Sequence, residues 1–305
     1  MAEKKINYHK EIQRLKKEKA ALILAHYYQT LDIQDIADFV GDSYDLSVKA
    51  RNASEDIIVF CGVDFMAETA KILSPTKMIL HPVPTATCPM ANMISAADVL
   101  ALRKQYPEAE VACYVNTTAE VKAVSDVCVT SSSAVTIINK LQSDTILFVP
   151  DENLASYIQR FTTKKIIPGK GYCYVHKKFE SSRLAQAKAA YPDAIVLVHP
   201  ECTAAVIDLA DAALSTSGML KYIEQSKAKK FIIGTEQGII DRMERLFPDR
   251  QFFSCGTPGI CVNMKKIKLA DVYHALLHEQ YAVQIEKETI AQAQRSLHRM
   301  IELNT

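Results

Sequence analysis

The sequence predicts an α/β protein of three pseudo-symmetric, three-layer αβα domains, with parallel sheets set around a central active site. Three observations predict it. Short apolar, β-branched runs end abruptly in polar residues and alternate with helical patterns, which implies parallel strands joined by helices. The runs recur at a nearly constant period, as an internal repeat does. Each copy closes on a cysteine in a loop beside Gly, Pro or polar residues. His26, Tyr114 and His199 mark the ends of equivalent runs, with steps of 88 and 85 residues. Ser43, Ser131 and Thr216 repeat those steps, and Cys88, Cys173 and Cys261 follow at 85 and 88.

Taken in order, a helix over Tyr8–Lys19 precedes the repeat. Ile23–Tyr28 reads as the first strand, with helical spacing over Asp35–Phe39 and again over Ser43–Ala53 after Gly41-Asp42. Ile57–Phe60 is the next strand. Met66–Leu73 follows as a helix stopped by Ser74-Pro75, and the unit ends at Cys88. The second unit repeats this with strands at Val111–Asn116 and Thr145–Val149, ending at Cys173. The third has Val196–Glu201 and Phe231–Gly234, ending at Cys261. In each unit the second strand is followed by an acidic residue and a helical pattern. The expected units are residues 1–90, 91–177 and 178–264. The tail from 265 to 305, helical and rich in Glu, Gln and Lys, is expected to pack on the first.

Composition narrows the function. The chain has 305 residues, of which 49% are apolar and 23% charged, which is ordinary for a globular protein. Its 36 basic and 35 acidic residues leave a formal charge of +1, without the basic excess of a nucleic-acid binder. No apolar run is long enough to span a bilayer. The N-terminus stays charged through Lys19 and lacks the apolar core of a secretory signal, so a cytoplasmic protein is expected. Eight cysteines in a reducing compartment argue for free thiols or metal ligands rather than a disulfide framework. Cys61, Cys113 and Cys128 lie in or beside apolar strand-like runs and read as packing residues. Cys202 and Cys255 read either way.

The loop cysteines carry chemistry. If the three units face a common axis, Cys88, Cys173 and Cys261 converge, although none has the short spacing of a zinc finger or ribbon. Three thiolates without a fourth protein ligand suit a [4Fe–4S] cluster whose fourth iron is open to substrate. An open iron is a Lewis acid, which points to dehydration or elimination. Unpartnered loop thiols, or a zinc site of three Cys with His176, are the alternatives. Ser43, Ser131 and Thr216 stand where strand-end loops enter helices, where a hydroxyl and free backbone N–H groups hold an anion or merely cap the helix. His26 and His199 occupy equivalent strand ends, each two residues before an ionisable or phenolic side chain, Tyr28 and Glu201. Acid–base roles follow for this set.

These motifs, from Ala25-His26-Tyr27-Tyr28-Gln29 and Gly41-Asp42-Ser43 to Thr87-Cys88-Pro89-Met90 and Tyr114-Val115-Asn116-Thr117, span the chain. With Gly171-Tyr172-Cys173-Tyr174-Val175-His176, His199-Pro200-Glu201-Cys202, Ser215-Thr216-Ser217, Gly234-Thr235-Glu236 and Cys261-Val262-Asn263-Met264, the sequence resembles the quinolinate synthase family of short, three-domain type. The resemblance implies condensation of iminoaspartate with dihydroxyacetone phosphate to quinolinate, with loss of phosphate and two waters. That is the step of de novo NAD synthesis after L-aspartate oxidase. It implies cluster ligation by Cys88, Cys173 and Cys261, and acid–base roles for His26, Tyr28, His199 and Glu201. It also implies substrate contacts from Tyr114, Asn116 and His176, and anion-holding hydroxyls at Ser43, Ser131 and Thr216. Some family members carry a C-x₂-C-x₂-C run near the end. Here five residues separate Cys255 from Cys261, and the role of Cys255 stays open. A different [4Fe–4S] hydro-lyase and a cluster-based redox sensor are the rival readings.

Overall fold

A computed structural model of the chain describes residues 6–304. The charged start of the chain, residues 1–5, lies outside the described residues. Three four-stranded sheets, all parallel, make up the fold. The first contains β1 (Ala21–His26), β2 (Phe39–Gly41), β3 (Ile57–Cys61) and β4 (Met78–Leu80), in the order β2-β1-β3-β4. The second has β5 (Glu110–Tyr114), β6 (Val127–Val129), β7 (Thr145–Val149) and β8 (Lys165–Pro168), in the order β6-β5-β7-β8. The third has β9 (Ile195–Val198), β10 (Ala212–Ala213), β11 (Lys230–Gly234) and β12 (Gln251–Ser254), in the order β10-β9-β11-β12. In all three the chain turns one way from its first strand and the other way afterwards. The carboxyl ends of the two central strands therefore flank a switch point, where parallel sheets leave a crevice for ligands.

Helices cover both faces. They are α1 (Tyr8–Glu18), α2 (Leu31–Ile36), α3 (Ser43–Asn52) and α4 (Asp64–Leu73), then α5 (Ala96–Gln105), α6 (Ala119–Ala123), α7 (Ala134–Lys140) and α8 (Glu152–Gln159). After them come α9 (Tyr174–Lys177), α10 (Ser181–Ala190), α11 (Ala204–Ile207), α12 (Thr216–Gln225) and α13 (Gln237–Leu246), with α14 (Leu269–His278) and α15 (Lys287–Leu303) at the end. Because helices lie on both faces, the central strands are apolar throughout rather than alternating. All six residues of β1 are buried. Among the described residues no helix is long and apolar enough to cross a membrane.

The chain divides into two compact units. The first holds residues up to 87 with 262–286, and the second holds 88–261 with the segment from 287 onward. In the first, α14 packs on α1, with the Tyr8 and Tyr273 rings 5.6 Å apart and Lys19 paired with Glu279. In the second, α15 packs on α6 and β6. Its buried stripe of Ile290, Ala293, Leu297 and Met300 has helical spacing, and Arg299 reaches Glu110 at 2.7 Å. The expectation that the whole tail covers the first repeat is therefore corrected for the last helix. Its polar composition hid this narrow apolar stripe.

A second correction concerns residues 35–39, expected to be helical. The helix stops at Ile36, Ala37 is extended at φ −76° and ψ 143°, and Phe39 begins β2. Asp38 makes the difference. Its N–H donates to the Ile23 carbonyl at 2.9 Å, and its Oδ2 accepts the Ile23 N–H at 2.8 Å. Asp126 clamps Val111 in the same way, at 2.9 and 2.7 Å, and Asp211 clamps Val196 at 2.9 and 2.7 Å. Each aspartate directly precedes an edge strand and lies fifteen residues after its partner. A side-chain bond thus holds each short edge strand in register where only two or three residues of ladder are available.

Asp211→Ala is expected to lower stability by about 1–2 kcal/mol, the contribution of a hydrogen bond to a charged group near the surface. The urea midpoint should drop at unchanged slope, with Asp211→Asn falling between the two. An unchanged midpoint in Asp211→Ala would mean that the clamp holds nothing.

Candidate active site

A histidine ends the first strand of the first repeat and another directly follows the first strand of the third, and both are locked by the backbone. In the first unit, His26 is the last residue of β1, and its Nδ1 accepts the Tyr28 N–H at 3.1 Å. The Tyr28 ring stands edge-on to the imidazole, 4.5 Å between centroids. In the second unit, His199 follows β9 directly, and its Nδ1 accepts the Glu201 N–H at 3.3 Å. An Nδ1 that accepts from a backbone amide carries no proton, so the neutral ring holds its proton on Nε2. Burial depresses the His199 pKa to about 3; the Glu201 charge opposes the shift and His176 adds to it. His199 is therefore a neutral Nε2–H donor at neutral pH.

Around it the second unit gathers three of the expected residues. Tyr114, last in β5, donates its hydroxyl to Glu201 Oε1 at 2.6 Å. His176 Nδ1 lies 2.7 Å from Glu201 Oε2, and because an ionised carboxylate only accepts, that nitrogen bears a proton. The His176 and His199 rings stack 4.4 Å apart. Glu201 is 3% exposed, and burial alone would raise its pKa. The two imidazoles and the hydrogen bonds from His176 and Tyr114 outweigh burial and hold the carboxyl well below the usual range. The other His176 nitrogen meets Thr235 Oγ1 at 2.9 Å. Asn116 has its Oδ1 buried without a hydrogen-bond partner among the described residues, an acceptor left for a ligand.

Exposure divides the cysteines. Cys88, Cys173 and Cys261 are partly exposed, and the other five are buried. Each of the three follows the fourth strand of its repeat. All three belong to the second unit, and Cys88 is close enough to act on the charge state of Cys173. Burial raises the Cys173 pKa well above the ordinary thiol value, with Glu201, Cys88 and Asp151 adding to it. Such a corner disfavours a bare thiolate and favours one compensated by a bound cation. The Sγ of Cys173, one nitrogen of His176 and one oxygen of Glu201 all lie within 4.8 Å of one another. One sulfur, one nitrogen and one oxygen so placed are donors able to hold a metal, and Cys88 adds a soft thiol near Cys173. Cys202 and Cys255, ambiguous in the sequence, pack together in the core of the third repeat beside Val198 and Ile232. Cys113 and Cys128 face each other across β5 and β6, with sulfurs 3.4 Å apart.

The hydroxyl residues are placed unevenly. Ser43 and Thr216 open α3 and α12, but the capping side chains are their neighbours Asp42 and Ser215, which leaves both hydroxyls out of the cap. Ser131 sits in the turn before α7, between Thr130 and the Ser132–Ser133 pair that bonds back to Thr130. Sequence reasoning did not assign roles to Thr235, Asp151 and Glu236. The acidic residue after the second strand of each unit was the available signal for the last two. Burial and the nearby Glu201 push the Asp151 carboxyl well above the usual range.

Comparison with known proteins identifies the family. The family model described as Quinolinate synthetase A protein matches residues 10–302. The chain is 48% identical over 293 residues to the quinolinate synthase of Methanoregula boonei, covering 96% of this chain and 97% of that one. It is 47% identical over 297 residues to the quinolinate synthases of Thermococcus onnurineus and Pyrococcus furiosus. Those matches cover 97% of this chain and 98% and 97% of theirs. The chain belongs to the quinolinate synthetase A family.

The locked tautomer of His199 sets a pH expectation. Its folded pKa is depressed, so its contribution to stability is complete above about pH 6.5 and is lost as pH falls toward 3. Nitrogen-15 NMR should show a neutral Nε2–H ring from about pH 5 to about pH 9. A titration midpoint near the ordinary histidine value would contradict the lock.

Proposed function

We propose that this chain condenses iminoaspartate with dihydroxyacetone phosphate to give quinolinate, inorganic phosphate and two waters, in cytoplasmic NAD biosynthesis downstream of L-aspartate oxidase. The observation that carries this reading is the approach of the Cys173 sulfur to the His176–Glu201 pair. A cluster ligand and a buried acid–base group share one corner. When bound by Cys88, Cys173 and Cys261, a [4Fe–4S] cluster with its fourth iron open supplies a Lewis acid for loss of water.

The side chains supply the rest. Glu201 is ionised and oriented by Tyr114 Oη and His176 Nδ1, and it takes a proton as those donors turn to the substrate. His199 offers its Nε2–H to a developing oxyanion without adding a charge. The unpaired Asn116 Oδ1 accepts from a substrate N–H or O–H. Thr216 lies at the N-terminus of α12, suited to a carboxylate or phosphate oxygen, and Ser131 offers a second hydroxyl. The proposal extends to His26, Tyr28 and Ser43, whose strand-end arrangement in the first unit repeats that of His199. New C–C and C–N bonds make this a transferase-type condensation, and aromatisation of the ring helps drive its last step.

A single divalent ion on Cys173, His176 and Glu201 is the competing reading. It would require Glu201 to give up the 2.7 Å bond to His176 that holds it. Anaerobic reconstitution with iron and sulfide separates the two. The proposal expects about four irons per chain and quinolinate formed only in their presence. Zinc uptake with no iron would favour the single ion, and four irons without quinolinate would point to a different hydro-lyase. Cys88→Ala, Cys173→Ala and Cys261→Ala should each lose the iron, while Cys113→Ala keeps it. Glu201→Gln should keep the iron and lose turnover; near wild-type turnover would remove Glu201 from the mechanism.

A further inference from the structure

Asp151 and Glu236 make the same unusual pair of contacts in different repeats. Asp151 follows β7; one carboxyl oxygen accepts the Leu154 N–H at 2.6 Å and caps α8, and the other accepts the Cys173 N–H at 3.1 Å. Glu236 follows β11; one oxygen accepts the Gly238 N–H at 2.6 Å and caps α13, and the other accepts the Cys261 N–H at 3.1 Å. Both side chains are fully buried, at 0% exposure. The backbone repeats the arrangement. Glu152 N–H donates to the Gly171 carbonyl at 2.8 Å and Gln237 N–H to the Gly259 carbonyl at 2.7 Å, each glycine two residues before its cysteine. A Cβ on Gly171 would stand 2.8 Å from Pro150 Cβ, and one on Gly259 would stand 2.8 Å from the Thr235 carbonyl oxygen. The cysteine loops are pressed onto the strand ends, and the carboxyl groups catch them there.

Helix capping alone does not account for this. Ser or Asn caps a helix as well as Asp does, without placing a carboxyl group in the interior. The second oxygen, aimed at the cysteine amide, is the contact that a shorter or single-acceptor cap could not make. The shorter connection, from 151 to 173, uses Asp, and the longer one, from 236 to 261, uses Glu. In the first repeat the Asp64 N–H donates to the Ala86 carbonyl, two residues before Cys88, which makes Val63 the equivalent residue. The device therefore belongs to the second and third repeats.

We infer that Asp151 and Glu236 are positioning residues for the metal centre, each fixing a ligand cysteine through its backbone amide; this rests on the cluster reading proposed above. The test separates capping from ligand positioning. Asp151→Ser and Glu236→Ser retain a capping hydroxyl but cannot reach the cysteine amide. Both lose a buried hydrogen bond and should melt several degrees below wild type while remaining folded at the assay temperature. After anaerobic reconstitution, both should lose iron to a chelator about tenfold faster than wild type, the usual scale for removing a partner of a metal ligand. The EPR line shape of the reduced cluster should change with them. Thr118→Ala, which removes the side-chain cap of α6 and leaves the Asp151 and Glu236 bonds in place, should leave iron loss and spectrum unchanged. Should a Ser variant fail to fold, Asp151→Asn and Glu236→Gln, which keep one accepting oxygen, carry the same comparison. Wild-type iron loss and an unchanged spectrum in the variants would overturn the inference alone. A wild-type protein that takes up no iron would overturn the cluster reading together with it.

Discussion

The chemistry of the second unit depends on one buried carboxylate. Glu201 sits where an isolated charge would be strongly disfavoured, and it stays ionised because two imidazoles stand beside it and donors reach it from two other elements. Tyr114 comes from the end of β5 in the second sheet, and His176 from the short α9 that begins just after Cys173. Satisfying this one group therefore fixes the second repeat, the third repeat and a cysteine loop against one another. The stacking of His176 on His199 and the bond from His176 to Thr235 extend the network to the ends of β9 and β11. Removing any member leaves another without its partner, and a half-satisfied polar network is costly in a dry interior.

The repeat explains why these side chains arrive together. Each sheet runs its first two long strands side by side, and their carboxyl ends flank the switch point. The same backbone position then serves different purposes in different copies. The strand-end position is His26, Tyr114 and His199 in turn, which gives two locked imidazoles and one phenol. The position after the second strand is Val63, Asp151 and Glu236. A symmetric scaffold positions the side chains, and its local departures from symmetry give them distinct roles.

Much of this was legible in the sequence because the signals were long and repeated. Central strands such as Thr145–Val149 are buried on both faces and read as unbroken apolar runs. The edge strands were not legible. β10 is only Ala212–Ala213, and β2 is three residues beside a helix. No periodicity can be read over such lengths, and the residue that registers them is a single aspartate fifteen positions from its partner. The placement of α15 was missed for a similar reason, since an amphipathic tail shows that it packs but not on what. Tyr114 and Glu201 could be picked out one by one. Their 2.6 Å bond joins residues 87 positions apart and has no local trace.

The cysteines show how burial decides between two uses of one residue type. A thiol sealed among aliphatic side chains is held away from ionisation: Cys61 and Cys255 are pushed up to about 12 by burial alone. Such sulfurs pack as small apolar groups. Cys173 is also raised, but part of the cause is electrostatic, from Glu201, Cys88 and Asp151. A bound cation reverses the sign of that contribution, because the same negative neighbours that oppose a lone thiolate stabilise a metal-bound one. The three partly exposed cysteines all lie in loops after a fourth strand, and two of them are tied by a buried carboxyl group. Five cysteines therefore belong to the core, while the charge around Cys173 and its approach to the His176–Glu201 pair suit a metal centre.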